Sequence, residues 1–577
     1  MISIRDNKQL NLFDPWAFLS AKRRRMLDED WPGLFRKFLL DELPVNEMRR
    51  YFCENFGRPS KELYSVMGIL LFQQTMNLTD KETTRQAAFN IEWHYALNIT
   101  EESDSAKYIS EKTLWSMRQK LMESRLDQLM FERISKKLGM VFKVDFKNQR
   151  IDSMHIKSNM RRLGRIGIFS QAIHKFLVNL KRHHRALFDA IPQGVVERYL
   201  TKKAMAAFSM VKPSESHKTL NSVSRDLFDL IKMFKDQAEV GSMQSYKLMQ
   251  RVLEEQCELG DDGVAVKPAS KIPADSLQNP SDPDAGYSGH KGQGYQVQVM
   301  ETFTTTTDPK KKEETLNLIT HVAVESACEH DSKALIPAIE ETRRKDLKPE
   351  NLTADSLYGC DENVQAADAA GVELIAPVMN GGKQNDITLK DFEFDDTGCV
   401  SCCPAGHKPK KVKQKANRFR AHFNRQHCMS CRHVDQCPVH PGKRGYYLRY
   451  TAKDYRLAKR RAFEQTDEFI EAYRWRAGVE ATMSEYAATT GVKHLRVRGM
   501  KAVRFCATLK AIGVNIRRAV AVAKARRRNG RDFSASKSGR FMPFPIFKER
   551  FASFCLHLAD FLPTNYITAD SYGKLAA

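Results

Sequence analysis

The sequence predicts an α/β protein that begins with an all-α region. Alternating residues from Ile151 to Ile156 and an apolar run from Leu316 to Ser326 predict strands, and segments of helical periodicity separate them. Two of the predicted strands carry an acid at their ends, Asp152 and Asp355. In an open α/β sheet, the carboxyl ends of neighbouring strands face one crevice. We therefore expect these two acids to meet despite their separation in sequence.

Length and charge limit the possible functions. A chain of 577 residues is too long for a single core, so several domains are expected. Lys and Arg outnumber Asp and Glu by 93 to 70, and the net charge of +23 indicates a polyanionic partner such as nucleic acid. The longest apolar runs, such as Val66 to Phe72, are too short to span a membrane, and the N-terminus lacks the apolar region of a secretory signal. We expect a cytoplasmic protein with reduced thiols and no membrane partner.

Residues 1–145 are predicted to be helical. A capping box at Thr79 to Glu82 and a cap at Ser110 mark two helix starts. The basic patch from Lys22 to Arg25 favours a DNA-binding or dimerisation domain. A purely structural helical bundle fits the same pattern equally well.

Asp152 is followed by a basic segment that contains Lys157, Arg161, Arg162 and Arg165. An acid beside such cations is what a metal-dependent nuclease needs at a phosphate. The alternative is a strand-end aspartate beside a solvated basic helix. Residues 166–257 again have helical periodicity, so we predict a helical insertion.

A long helix is predicted from about Lys453 to Thr489. Its spacing places Arg476 and Glu480 on one face, one turn apart, with Tyr473 one turn earlier. An exposed salt bridge between Arg476 and Glu480 is the structural alternative. A basic turn follows, and the run from Lys524 to Arg531 begins a tail that we expect to be partly disordered after Gly530.

Six of the twelve cysteines lie between Cys399 and Cys437. Cys428 and Cys431 form a CxxC pair, Cys437 follows, and Cys399, Cys402 and Cys403 precede them, a spacing that suits tetrahedral zinc. Between the two groups, lysines and arginines from Lys408 to Arg420 accompany Phe419 and Phe423, a mixture typical of contacts with a nucleic-acid backbone and bases. The lysines alone are equally explained as solvated surface.

Taken together, Asp152, Asp355 and the element Tyr473, Arg476, Glu480 resemble the insertion-sequence transposases that carry a DDE triad in an RNase H-like fold. The segments IDSMHIKSNM, TADSLYGCDEN and RAGVEATMSEY are similar to the family's three acid-bearing segments, and a cysteine-rich insert before the glutamate helix occurs in some members. The resemblance implies a helical domain at 1–145 and a catalytic domain at 146–520. The catalytic domain, a mixed sheet flanked by helices, would be interrupted by a helical insertion at 161–280 and a zinc-ribbon-like insertion at 390–450, with a basic tail at 521–577.

The same resemblance implies chemistry and partners. Asp152, Asp355 and Glu480 would bind two Mg²⁺ or Mn²⁺ ions, and Cys403, chosen for its following proline, would join Cys428, Cys431 and Cys437 around a structural zinc ion. The expected partners are double-stranded DNA, at the terminal inverted repeats and the target, and further copies of the chain in a homodimer or larger assembly. A bacterial, nucleoid-associated location follows. The DNA-binding residues would be Tyr473, Arg476, Lys493, Arg496, Arg498, Arg161 and Arg162.

The chain departs from the family at Ala487, where a basic residue is usual seven positions after the glutamate. Lys493 or Arg496 would have to supply that phosphate contact, or this copy is impaired. Two alternatives stay open at this point: a related nuclease or domesticated derivative that does not transpose, and a non-catalytic DNA-binding regulator that contains zinc.

Overall fold

The computed structural model of the protein describes residues 2–7, 14–57, 59–260, 263–379 and 387–530. Chain contacts divide it into two compact units, Met1–Val522 and Ala523–Ala577. The described residues of the second unit are helical as far as Arg528, where the sequence predicted a tail. The disorder predicted after Gly530 concerns residues outside the described part of the chain. No helix among the described residues is long and apolar enough to cross a membrane.

The first part of the chain is helical as far as Phe142, as predicted. Its helices are α1 (Ala21–Asp28), α2 (Trp31–Leu34), α3 (Val45–Arg49), α4 (Leu63–Thr75), α5 (Asp80–Phe89), α6 (Ile91–Ala96), α7 (Asp104–Lys107), α8 (Glu111–Glu123) and α9 (Leu126–Phe142). The Thr79 hydroxyl accepts a hydrogen bond from the Glu82 N–H, and the Glu82 carboxylate accepts one from the Thr79 N–H. Ser110 caps α8 by accepting from the Thr113 N–H. Both predicted helix starts are therefore confirmed.

A long strand, β1 (Asn148–Lys157), leads from these helices into a second helical region. That region consists of α10 (Arg165–His183), α11 (Arg185–Asp189), α12 (Gln193–Leu200), α13 (Ala204–Ser209), α14 (Ser216–Met233), α15 (Ala238–Ser242) and α16 (Gln244–Gln256), followed by a hairpin of β2 (Cys257–Gly260) and β3 (Gly263–Val266). Phe169, Phe176 and Leu227 lie in an apolar core that these helices share. The helical periodicity of residues 166–257 is thus borne out.

The central sheet is mixed. Its later elements are β4 (Gly286–Ser288), β5 (Gly292–Thr302), α17 (Pro309–Glu314), β6 (Ile319–Ser326), α18 (Leu335–Arg344), β7 (Asn351–Thr353), α19 (Asp361–Ala369) and β8 (Glu373–Ile375). The strand order is β4-β5-β1-β7-β8, with β6 also paired to β5; β1 is antiparallel to β5 and parallel to β7. Helices α18 and α19 cover an apolar core that includes Ile151, Leu352 and Tyr358. This α/β architecture is consistent with the RNase H-like core that the resemblance implied.

The cysteine-rich segment forms small sheets of its own. It contains β9 (Glu393–Phe394), β10 (Val400–Cys402), β11 (Lys411–Lys415), β12 (Arg418–Phe423), α20 (Arg425–Met429), β13 (His440–Gly442) and β14 (Gly445–Thr451). Phe419 and Phe423, expected to stack on bases, are only 5% and 2% exposed and pack in the segment's apolar core with Leu448 and Tyr450. That expectation is wrong, because strand alternation turns both rings inward.

The predicted long helix from Lys453 to Thr489 is also wrong, because three shorter helices replace it. They are α21 (Ala452–Phe463), α22 (Asp467–Tyr473) and α23 (Gly478–Thr490), followed by α24 (Met500–Arg528). Thr466 caps α22 and so starts a new helix, and a 3₁₀ turn, Arg474–Ala477, separates α22 from α23. Tyr473 and Glu480 therefore lie on different helices.

A buried ion network connects β1, β5, α23 and α24. The Glu301 carboxylate on β5 is fully buried and accepts hydrogen bonds from Arg150 at 2.7 Å, Arg518 at 2.7 Å and the Thr482 hydroxyl at 2.7 Å. Arg518 also pairs with Glu485 on α23 at 2.7 Å. Two arginines and a hydroxyl thus compensate one carboxylate that is shielded from water.

Glu301→Ala should lower the free energy of unfolding by about 3–5 kcal/mol, because it leaves Arg150 and Arg518 without their buried counter-charge. Chemical denaturation of the purified protein would measure this. Glu340→Ala removes an exposed glutamate from α18 and is the matched control. Equal unfolding midpoints for the two variants would show that the network contributes nothing to stability.

Candidate active site

Asp152 and Asp355 lie near each other, just beyond the point where the pairing of β1 with β7 ends. The parallel pairing of β1 with β7 ends at Arg150 opposite Thr353, and each acid lies two residues further along its own strand direction. The Ser153 N–H donates to the Asp152 carboxylate at 2.8 Å, and the Leu357 N–H donates to that of Asp355 at 2.9 Å. The prediction of a strand-end acid is correct for Asp355, which follows β7, and wrong for Asp152, because β1 continues to Lys157 and pairs Asp152 with Val299 of β5.

Arg476 connects the first acid to the predicted third. Its guanidinium donates to Asp152 Oδ2 at 3.0 Å and to Glu480 Oε1 at 3.3 Å. The Asp152 side chain is only 15% exposed, whereas that of Glu480 is 72% exposed. The exposed salt bridge considered from the sequence therefore exists, and the same guanidinium joins Glu480 to Asp152.

The site crowds negative charge around Asp152. Burial raises the pKa of the Asp152 carboxyl, and the nearby charges of Asp355 and Asp331 raise it further, against the opposing effects of the Ser153 N–H and Arg476. Crowded, partly buried carboxylates with a raised pKa are typical of groups that bind a cation.

Asp331 was not predicted as part of this site. It lies after β6, is 8% exposed, and accepts a hydrogen bond from Gln298 on β5 at 2.9 Å. The buried Tyr358 hydroxyl also donates to Gln298. The sequence carried a weak signal, because Asp331 follows a predicted strand as Asp355 does, but nothing in the local pattern separated it from an ordinary helix-start acid.

Arg150 connects β1, which carries Asp152, to the 3₁₀ turn that contains Arg476. Besides Glu301, it donates to the Trp475 carbonyl at 2.7 Å. The Arg150 guanidinium lies against Gly478, and a Cβ atom added to this glycine would be only 2.1 Å from Arg150 Nη1. Gly478 thus leaves room for the contact that fixes the 3₁₀ turn before α23.

A groove of about 770 Å³ opens beside the acids. Asp152 and Glu480 line it together with three lysines, Lys157, Lys291 and Lys493. Ala487, where the family usually has a basic residue, lines the same groove. Lys493 lines the groove together with Ala487 and brings a positive charge to it. Arg496, the other candidate for this charge, donates a hydrogen bond to the Asn77 carbonyl at 2.9 Å.

The other residues predicted to bind DNA lie on several elements. Tyr473 is half-buried and stacks on Phe469. Arg498 contacts the Met160 sulfur at 3.2 Å, Arg161 donates to Ser209 at 3.2 Å, and Arg162 lies over the Tyr287 ring. These arginines are exposed.

Two aspartates hold the turn that leads to α24. The Gly499 and Met500 N–H groups donate to the carboxylates of Asp282 and Asp284, at 3.0 and 2.8 Å. Neither aspartate was predicted to take part in the site.

Four cysteines line one small pocket of about 30 Å³. They are Cys403, Cys428, Cys431 and Cys437, whereas the other two candidates, Cys399 and Cys402, are not among the pocket's described lining residues. Burial, together with the neighbouring thiols, raises the pKa of Cys428 to about 11. The described cysteines form no disulfide.

Neither cluster is a preformed metal cage. In the described part of the chain, no three His, Cys, Asp or Glu side chains are arranged as they stand to hold a metal ion. At the acids, the Arg476 guanidinium supplies the positive charge between Asp152 and Glu480. The donor sets nevertheless suit metals: carboxylates suit Mg²⁺ or Mn²⁺, and four thiols suit Zn²⁺.

Two family models match the chain. Residues 402–520 match a model described as a transposase DDE domain, and residues 34–120 match one described as a transposase domain. The first range includes the cysteine pocket, Arg476 and Glu480, while Asp152 and Asp355 lie outside both ranges. No curated protein and no solved structure matches.

Gly478→Ala should lower the free energy of unfolding by about 1–3 kcal/mol, because the added methyl group overlaps Arg150 and cannot be accommodated without moving it from Glu301 or Trp475. Thermal or chemical denaturation would measure the effect.

Gly194→Ala is the matched control, since a Cβ on that glycine of α12 meets nothing within 4 Å. If both substitutions change stability equally, the close approach of Arg150 to Gly478 has no energetic weight.

Proposed function

We propose that this chain, which belongs to the insertion-sequence transposases of the DDE type, binds the ends of its mobile element, cleaves a DNA strand and joins the freed 3′-hydroxyl to target DNA. The observation that carries the proposal is the proximity of Asp152 and Asp355 where the pairing of β1 with β7 ends, with Glu480 joined to Asp152 through Arg476. Three acids from two strands and a helix are a sparse set of the kind that phosphoryl transfer with divalent ions requires.

The proposed cofactors are two Mg²⁺ or Mn²⁺ ions held by Asp152, Asp355 and Glu480. Such ions would activate the attacking water or 3′-hydroxyl and stabilise the leaving oxygen. Asp152 and Asp355 are fixed by the sheet, whereas the exposed Glu480 side chain has room to swing toward them. Burial, and after it the charge of Asp355, raises the pKa of Asp152, and a bound cation would relieve the repulsion between these two acids.

Arg476 must leave the carboxylates before they serve as ligands. A guanidinium released from Asp152 and Glu480 suits a DNA phosphate, because its fork of N–H donors binds phosphate oxygens in pairs. In this proposal DNA binding and site assembly are coupled: the phosphate takes Arg476 and frees the acids. Tyr473, next to Arg476, would pack against the bound strand.

Further phosphate contacts are proposed along the groove and its rim. Lys493 compensates for Ala487, since both line the groove beside Glu480. Arg496, Arg498, Arg161 and Arg162 would extend the basic surface outward. The helical region at 1–145 is proposed to recognise the element's ends or to pair subunits in a homodimer or larger assembly, and the protein to work in the cytoplasm on nucleoid DNA.

The four pocket cysteines are proposed to hold one structural Zn²⁺. Four thiolates close the coordination shell, so this site takes no part in strand cleavage. The segment also has an apolar core of its own, around Phe419 and Leu448. Zinc would therefore fix the loops around Cys403 and Cys428 rather than fold the whole segment.

Asp152→Asn, Asp355→Asn and Glu480→Gln should each lower cleavage of an end-containing duplex by about 10³-fold or more, because each removes a carboxylate worth several kcal/mol in the transition state. Single-turnover cleavage in Mg²⁺ and binding to the same duplex would be measured together. Binding should stay close to that of the unaltered protein.

Asp368→Asn, an exposed change on α19, is the matched control and should cleave normally. A near-normal cleavage rate in any of the three site variants would remove that residue from the proposed metal site.

Purified protein should contain about one zinc ion per chain, and Cys428→Ser or Cys403→Ser should lose it, because a tetrahedral thiolate site fails without one ligand. Elemental analysis would count the metal. Cys402→Ser and the exposed Cys53→Ser are controls that should retain zinc. Fully active protein without zinc would show that the pocket cysteines are free thiols.

A further inference from the structure

One face of the sheet β11-β12-β14-β13 carries cations in rows across the strands. Lys413 on β11 pairs with Arg420 on β12, and Arg420 pairs in turn with Arg449 on β14. In the adjacent row, Lys415 lies opposite Arg418. All five side chains are exposed, and they surround a shallow hollow of about 390 Å³.

The opposite face explains why the cations share one side. Phe419, Ala421 and Phe423 on β12 point into the segment's core, so the intervening Arg418 and Arg420 must point outward. Leu448 and Tyr450 on β14 are buried in the same core and leave Arg449 on the outer face. The rows are thus fixed by the packing of the core.

Like charges directly opposite each other on a sheet destabilise it. Within the described residues, Lys413, Arg420 and Arg449 form no ion pair with a carboxylate. Among the described residues that line the hollow, Asp454 is the one acid, and its carboxylate accepts hydrogen bonds from the N–H and hydroxyl of Thr451 at 2.8 Å as it caps α21. One carboxylate against five cations leaves the hollow with an excess of positive charge, which favours a polyanionic ligand.

Aromatic contacts hold one of these cations in place. The Arg420 guanidinium lies 4.6 Å from the centre of the Tyr447 ring, which in turn stacks on His422 at 4.9 Å. Tyr447 and His422 already stack on each other, and Tyr447 also contacts Arg420. Phe419 and Phe423 are buried and cannot stack on a base. The face therefore offers positive charge without a ring for an unstacked base, which favours a duplex over a single strand.

We infer that this face, defined by Lys413, Lys415, Arg418, Arg420 and Arg449, binds the sugar–phosphate backbone of duplex DNA without reading its sequence. The inference rests on the proposed function only in taking DNA as the polyanion. Contacts with phosphates alone position a duplex and carry no sequence information. The face would therefore hold element and unrelated DNA equally well.

The test compares two full-length triple variants that each lose three positive charges. The face variant is Lys413→Gln, Arg420→Gln, Arg449→Gln, and the control variant is Lys310→Gln, Lys311→Gln, Lys312→Gln on the exposed part of α17. Fluorescence anisotropy across a salt series would give the dissociation constant for an end-containing duplex and for an unrelated duplex of equal length.

For the face variant, the slope of log affinity against log salt should fall by about 2–3 on both duplexes, because each lost phosphate contact contributes about 0.9 to the slope. Its affinity for both duplexes at low salt should be at least about tenfold weaker. The control slope should change by less than about one. A thermal unfolding midpoint equal to that of the unaltered protein would show that the face variant is folded. If the triple variant does not fold, the single variant Lys413→Gln replaces it and should lower the slope by about one.

Equal slopes for the face and control variants would overturn the inference while leaving the proposed function intact. A loss confined to the end-containing duplex would also overturn it, because the face would then read sequence. Unaltered protein that binds neither duplex would instead contradict the proposed function.

Discussion

The candidate active site depends on the buried carboxylate of Glu301. It accepts a hydrogen bond from Arg150, which lies two residues before Asp152 on β1. It also accepts hydrogen bonds from Thr482 on α23, the helix that carries Glu480, and from Arg518 on α24. Arg150 then reaches the carbonyl of Trp475, next to Arg476. A single buried charge therefore fixes the first acid's strand, the 3₁₀ turn and the glutamate helix relative to each other. Because an unpaired buried charge costs several kcal/mol, alternative arrangements of these elements are strongly disfavoured.

Charge balance explains how several acids can lie close together in this site. Asp152, Asp355 and Asp331 place three carboxylates near one another, and Arg476 compensates part of that charge from the helix side. The same guanidinium holds Glu480 at the edge, where its side chain is 72% exposed. In the proposed function, the availability of the acids depends on where Arg476 binds, and a DNA phosphate competes with them for this arginine.

The sequence predicted the elements of this fold better than their connections. The predicted strands were sufficient to bring Asp152 and Asp355 near each other, although Asp152 lies within β1 rather than at its end, and the helix starts at Thr79 and Ser110 were predicted correctly. The predicted continuous helix failed because helical periodicity does not reveal that the Trp475 carbonyl accepts a hydrogen bond from distant Arg150. Phe419 and Phe423 were misassigned for a related reason: a basic, aromatic segment gives no sign of which face packs inward until its strand partners are known. Glu301, Arg518 and Asp331 act through contacts more distant in sequence than any local pattern records.

The most direct test is to locate Mn²⁺ by anomalous diffraction in a crystal of the protein bound to an end-containing duplex. The account predicts two manganese peaks about 3.5–4 Å apart, coordinated by Asp152, Asp355 and Glu480, with Arg476 moved from the carboxylates to a DNA phosphate. Peaks bound elsewhere, or an Arg476 that still joins Asp152 to Glu480 beside bound DNA, would contradict it.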